Sequence, residues 1–167
     1  MNGTCRAALA AACLAAGLQS VAPARAQVPE AELKAAFVYN FVLFTEWPAS
    51  ALPVDGVLTI CAGGSAASQY DALWQLDGRK AAGYRLAVTE GHGRPCHVAV
   101  YRAGTGGGLV QPGTLTVCDG PASACAGAMI TLLRERDRVR FDVDAERTRS
   151  GGLVLSSKLL RLARQVR

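Results

Sequence analysis

The chain has 167 residues, half of them hydrophobic, and its 18 basic and 13 acidic side chains leave a net charge of +5. This length suits a single domain able to bury its own core. A charge excess this mild, with no platform of interleaved aromatic and basic residues, argues against a nucleic-acid partner.

Residues 1–26 read as a signal peptide and not as part of the fold. Met1–Arg6 is short and basic, Ala7–Leu18 is an unbroken apolar run, and Ala24-Arg25-Ala26 is a small-x-small cleavage site. The apolar run is too short to cross a bilayer. Lipid attachment at Cys13 is disfavoured, because Ala10-Ala11-Ala12 lacks the large aliphatic residue that usually precedes such a cysteine. The mature domain therefore spans 27–167, exported, and no later segment is long and apolar enough to span a membrane.

Its first element is predicted to be a helix from Pro29 to Glu46, with Glu30 and Glu32 suiting the positive end of the helix dipole. Leu33, Phe37, Phe41 and Phe44 recur at spacings of four, four and three, the period of one helical face. Val38 and Val42 widen that stripe, Trp47 closes it, and Pro48 stops the helix. Val57–Cys61 is a β-rich run, followed by Gly63-Gly64-Ser65 and a helix over Ser65–Leu76 with Tyr70, Leu73 and Trp74 on one side. The glycine pair is a poor phosphate cradle, since neither GxGxxG nor a following lysine is present.

Further strands are expected at Tyr84–Val88, Cys96–Tyr101 and Thr114–Cys118. Ala128–Leu133 and Val139–Val143 form a hairpin around Arg134–Arg138, with Arg140 and Asp142 on its polar face. Asp144 caps a short helix over Ala145–Ser150. Ser156 or Ser157 caps a last helix carrying Leu159, Leu160, Leu162, Ala163 and Val166. The expected fold is a single α/β domain with a mixed five- or six-stranded sheet flanked by helices.

Four of the six cysteines lie beyond the signal: Cys61, Cys96, Cys118 and Cys125. An even number in an exported chain argues for two disulfides. Of the three pairings, Cys118 with Cys125 is favoured because Gly120 and Pro121 let the short loop turn back, leaving Cys61 with Cys96. Zinc is a weak alternative, as no CxxC pair exists and the histidines are only His92 and His97.

The remaining polar residues assemble no active site. Cys96 and His97 are adjacent, so on a strand they point to opposite faces and make a poor thiol–base pair. Ser156 and Lys158 form Ser-x-Lys, a spacing trivial to meet by chance and better explained by a serine helix cap followed by a surface lysine. Glu46, Asp119, Asp142 and Asp144 lack the pairing that acid–base work requires. A non-enzyme without metal or cofactor is expected.

Two separated stretches carry a resemblance. Tyr39–Pro48, YNFVLFTEWP, resembles the opening helix of the YfiR-like family, whose pattern is Y-N-F-x-x-F-x-x-W-P. Val139–Asp144 and Leu153–Ala163 are similar to its C-terminal strand and its L-x-[IVL]-S-S-x-L-L-x-L-A segment. Likeness at Leu115–Val117 and Gly127–Ile130 joins the two. The cysteines resemble the family's long-range and short local disulfides, which implies the same two pairings. Arg102–Gly113 departs from the pattern, being short and glycine-rich where members usually have an apolar helix.

The resemblance implies a periplasmic, non-enzymatic regulator. Such proteins repress an inner-membrane diguanylate cyclase by binding its periplasmic sensor domain, which lowers cyclic-di-GMP and restrains biofilm formation. Dimerisation and redox sensitivity through the disulfides are implied as well. Two other readings compete: a small-molecule sensor with its ligand between the first helix's exit and the C-terminal hairpin, and a hydrolase using Ser156 and Lys158. Glu46, Trp47, Arg140 and Asp142 are the ligand or partner candidates.

Overall fold

The computed structural model describes residues 28–63, 71–91, 95–105 and 111–167. The signal segment and Gly64–Tyr70 lie outside the described residues, as does most of the glycine-rich stretch from Gly104 to Gly108.

The opening helix α1 (Glu30–Leu43) ends before the expected Glu46, five residues short of Pro48. Phe44 closes it, its N–H bonding Asn40 O, and Thr45 Oγ1 donates to Phe41 O at 2.6 Å. The chain then enters β1 (Thr45–Glu46), which pairs antiparallel with β9 (Val154–Leu155). That pairing takes the backbone out of the helix, so Pro48 has no helix left to stop. The buried face also differs from the predicted stripe. Ala35, Val38, Phe41 and Val42 are buried, whereas Leu33 is 37% exposed and Phe37 and Phe44 are half-buried at its flanks.

The main sheet has eight strands in the order β10-β8-β7-β6-β5-β2-β4-β3. They are β2 (Val57–Ala62), β3 (Lys80–Ala81), β4 (Tyr84–Glu90), β5 (Val98–Arg102), β6 (Leu115–Asp119), β7 (Ile130–Glu135), β8 (Arg138–Val143) and β10 (Gln165–Val166). From β4 through β2, β5 and β6 to β7 the pairing is parallel, while β8 closes an antiparallel hairpin with β7. With β1 and β9 as a separate ribbon, the described residues hold more strands than the five or six expected. The surplus elements, β1, β3, β9 and β10, are two residues each and exist through pairing, with no hydrophobic period to announce them.

Alternation splits the sheet into two faces. On the inner face Leu58, Ile60, Leu86, Val98, Val100, Leu115, Val117, Ile130, Leu132 and Phe141 form one core with α1 and with α2 (Asp71–Trp74). Phe41 meets Phe141 edge-on at 5.1 Å, and Phe37 joins them. The opposite face is made of smaller and more polar residues, including Thr59, Cys61, Thr116, Cys118 and Thr131, all buried. A second, small cluster sits there, in which Tyr101 packs with Cys118, Cys125 and Ala128.

Both disulfides form as expected, Cys61–Cys96 and Cys118–Cys125, each with Cα atoms 5.7 Å apart. The first ties the segment entering β5 to the carboxyl-terminal part of β2. The second ties the β6–β7 connection back to β6. Asp144 caps α3 (Ala145–Ser150) by accepting from Arg147 N–H, as predicted.

The C-terminus differs from expectation. Helix α4 (Ser157–Leu160) is a single turn capped by Ser156, and the chain then extends into β10, parallel to β8. Of the five apolar residues assigned to a long helix, only Leu159 is buried, and Leu162 is 66% exposed. The strap also overturns the reading of Asp142 as a polar-face residue, since it is 1% exposed beneath Arg164.

Candidate functional site

The four predicted site residues do not converge. Glu46 is exposed on β1 opposite Val154. Trp47 is half-buried against the inner core, and its indole N–H is buried with no hydrogen-bond partner among the described residues. Arg140 is exposed on β8, lining a shallow cleft at the hairpin tip with Glu135–Arg138. Asp142 is a structural anchor. Arg164 Nε donates to its Oδ1 at 2.8 Å and Nη2 donates to Oδ2, the bidentate fork of a guanidinium on a carboxylate. Those bonds, with Glu135 at 3.6 Å, raise the Arg164 pKa further above its ordinary value.

A second ionic cluster pins α1 to the far end of the sheet. Lys34 Nζ reaches Glu30 at 2.6 Å and Asp119 at 2.8 Å, while Arg134 holds the other oxygen of Glu30. Burial works against the Lys34 charge, but Asp119 and Glu30 outweigh it and raise its pKa. The Lys34 hydrogen bond lowers the Glu30 pKa in turn. Every charge here is matched, so the cluster holds an element in place and offers no open chemistry.

Ser156 Oγ accepts from Lys158 N–H, the cap predicted from sequence. Its lone pair is engaged with the backbone of the residue whose amine a hydrolase would need. No group of His, Cys, Asp and Glu able to hold a metal ion is found among the described residues.

A wider opening than the hairpin cleft lies elsewhere, at the amino ends of β2, β5 and β6. It encloses about 830 Å³ between the Pro48–Asp55 loop, the residues entering β5, the turn before β6 and the end of α3. Its parts are locked together by the backbone. Gly113 N–H bonds Gly151 O at 2.9 Å, and a Cβ on Gly113 would stand 2.4 Å from that of Ala51, with φ at +81° besides.

His97 forms part of this cavity's floor. Its Nδ1 accepts from the Thr59 N–H at 2.9 Å, so the unprotonated ring nitrogen satisfies an amide of β2. Burial lowers the His97 pKa, against the opposing pull of Asp55 and a backbone hydrogen bond at Ala51. Sequence reasoning left His97 as a surface or core histidine beside a disulfide and missed the cavity altogether. A usable signal existed in the prolines that mark each converging turn, but which turns meet is a property of strand order.

The fold and these sites define a disulfide-stapled α/β domain whose charged clusters are structural. Among curated proteins, none matches the chain. A family model described as YfiR/HmsC-like matches residues 31–164, and the chain belongs to that family. The family is regulatory and non-catalytic, and its members are periplasmic. The two disulfides fit an oxidising compartment, and no helix among the described residues is long and apolar enough to cross a membrane.

Proposed function

We propose that this protein is a periplasmic repressor of an inner-membrane diguanylate cyclase. Residues 1–26 direct its export, and the domain over 27–167 binds the periplasmic sensor domain of the cyclase as a homodimer. Binding one conformation of the sensor shifts its population toward the inactive state, lowering cyclic-di-GMP and biofilm formation without catalysis. Membership of the YfiR/HmsC-like family over residues 31–164 is the observation that carries this reading. The two disulfides support the proposed redox sensitivity, because reduction would release both stapled connections.

Glu46 and Arg140 are the proposed partner contacts, both exposed and both free of ion pairs among the described residues. Trp47 supports the Glu46 side from within the core, and Asp142 holds the strap beside Arg140. The reading is tested by placing a photo-crosslinking residue at Glu46 or Arg140 in the living cell and identifying the products by mass spectrometry. An inner-membrane protein with a periplasmic sensor and a GGDEF domain is expected. Products confined to other proteins would overturn the proposal.

A further inference from the structure

We propose that the cavity at the amino ends of β2, β5 and β6 is a binding site for a neutral, ring-containing small molecule bearing hydroxyl or amide groups. The inference is independent of the cyclase reading. The volume of about 830 Å³ falls within the range of sites that enclose drug-sized ligands.

The walls determine the ligand's charge. Among the described residues no lysine or arginine lines the cavity, and the ionisable ones are Asp55 and His97. Asp55 Oδ1 already accepts from Val57 N–H at 3.0 Å, and the His97 lone pair is taken by Thr59. Among these residues an anion would find no counter-charge and would meet the Asp55 carboxylate. A cation would find one carboxylate already committed to the backbone. A neutral molecule loses nothing on either count.

The same walls determine shape and polarity. Pro48, Pro53, Pro95 and Pro112 line the opening from three separate segments. Their rings are rigid and bring no N–H, so they present flat apolar surfaces at little entropic cost. The free polar groups are the side chains of Ser50, Gln111 and Ser150, which make no hydrogen bond among the described residues. Hydroxyl and amide side chains of this kind fix the orientation of a largely apolar ligand.

N-phenyl-1-naphthylamine, a neutral aromatic amine that fluoresces in apolar sites, is the probe. The purified wild-type protein should bind it saturably at one site per chain. Its sulfonated relative 8-anilino-1-naphthalenesulfonate should bind at least tenfold more weakly. Ser150→Trp places an indole in the cavity from an exposed position and should abolish binding without changing the melting temperature. Ser50→Trp, also exposed, does the same from the Pro48–Asp55 loop. Absent binding, equal affinity for the sulfonate, or full binding by both tryptophan variants would each overturn the proposal.

Discussion

On the inner face of the sheet, Phe41 and Phe141 meet at 5.1 Å, and α1 and α2 bury a continuous layer of large aliphatic side chains. On the outer face, Cys96 just before β5 and Cys125 between β6 and β7 are each fastened to a strand by a disulfide. A parallel sheet ordinarily carries helices on both faces. Here one face is held by apolar area, while the other carries two disulfides over a small apolar cluster that among the described residues comprises Tyr101, Cys118, Cys125 and Ala128. A chain in an oxidising compartment can rely on that division, since the conditions that keep the sulfurs oxidised also sustain the outer face.

The comparison can be broken from either side. Phe41→Ala should cost about 3–5 kcal/mol in urea denaturation, through lost burial and a cavity the rings around it cannot fill. Removing Cys61–Cys96 by paired alanine substitution should cost about 4 kcal/mol on the chain-entropy estimate. Removing Cys118–Cys125, which closes the shorter loop, should cost about 2.5 kcal/mol on the same basis. Reducing both in the purified protein should lower its melting temperature by many degrees. An unchanged value would refute a structural role for the disulfides.

The pH response sharpens the same contrast, because His97 stands where the Cys61–Cys96 staple enters the sheet. Its folded pKa is lowered, mainly by burial, so the neutral ring is the form that the fold stabilises. The stabilisation is full above about pH 6.5, the unfolded value, and is lost as pH falls through the lower folded value. Urea midpoints should therefore drop between pH 7.5 and 5, and His97→Gln should flatten that dependence. A wild-type midpoint constant over the range would contradict the role given to the neutral His97 ring. The smallest effect is expected at Ser156→Ala, about 1 kcal/mol for a lost cap. Repression should survive it. A complete loss of function in a still-folded variant would restore the Ser-x-Lys hydrolase.

Much of this was legible in the sequence, and the misses have physical reasons. The long strands, the Asp144 and Ser156 caps and both disulfides follow from residues close together or from simple loop logic. The end of α1 did not, because it is decided by pairing with β9 more than a hundred residues later. Likewise, the alternation of β8 gives no hint that Asp142 is buried, because Arg164 and the strap arrive from a segment whose own pattern reads as helical. The cavity was invisible for the same reason, being built where three turns meet only after the strands take the order β6-β5-β2.

The central claim, repression of a membrane cyclase, is tested most directly by the intracellular cyclic-di-GMP level. It should be measured in the parent strain, in a strain deleted for this gene, and in the deletion strain carrying the gene again. The account predicts a rise on deletion and a return to the parental level on complementation. An unchanged level in the deletion strain would contradict it.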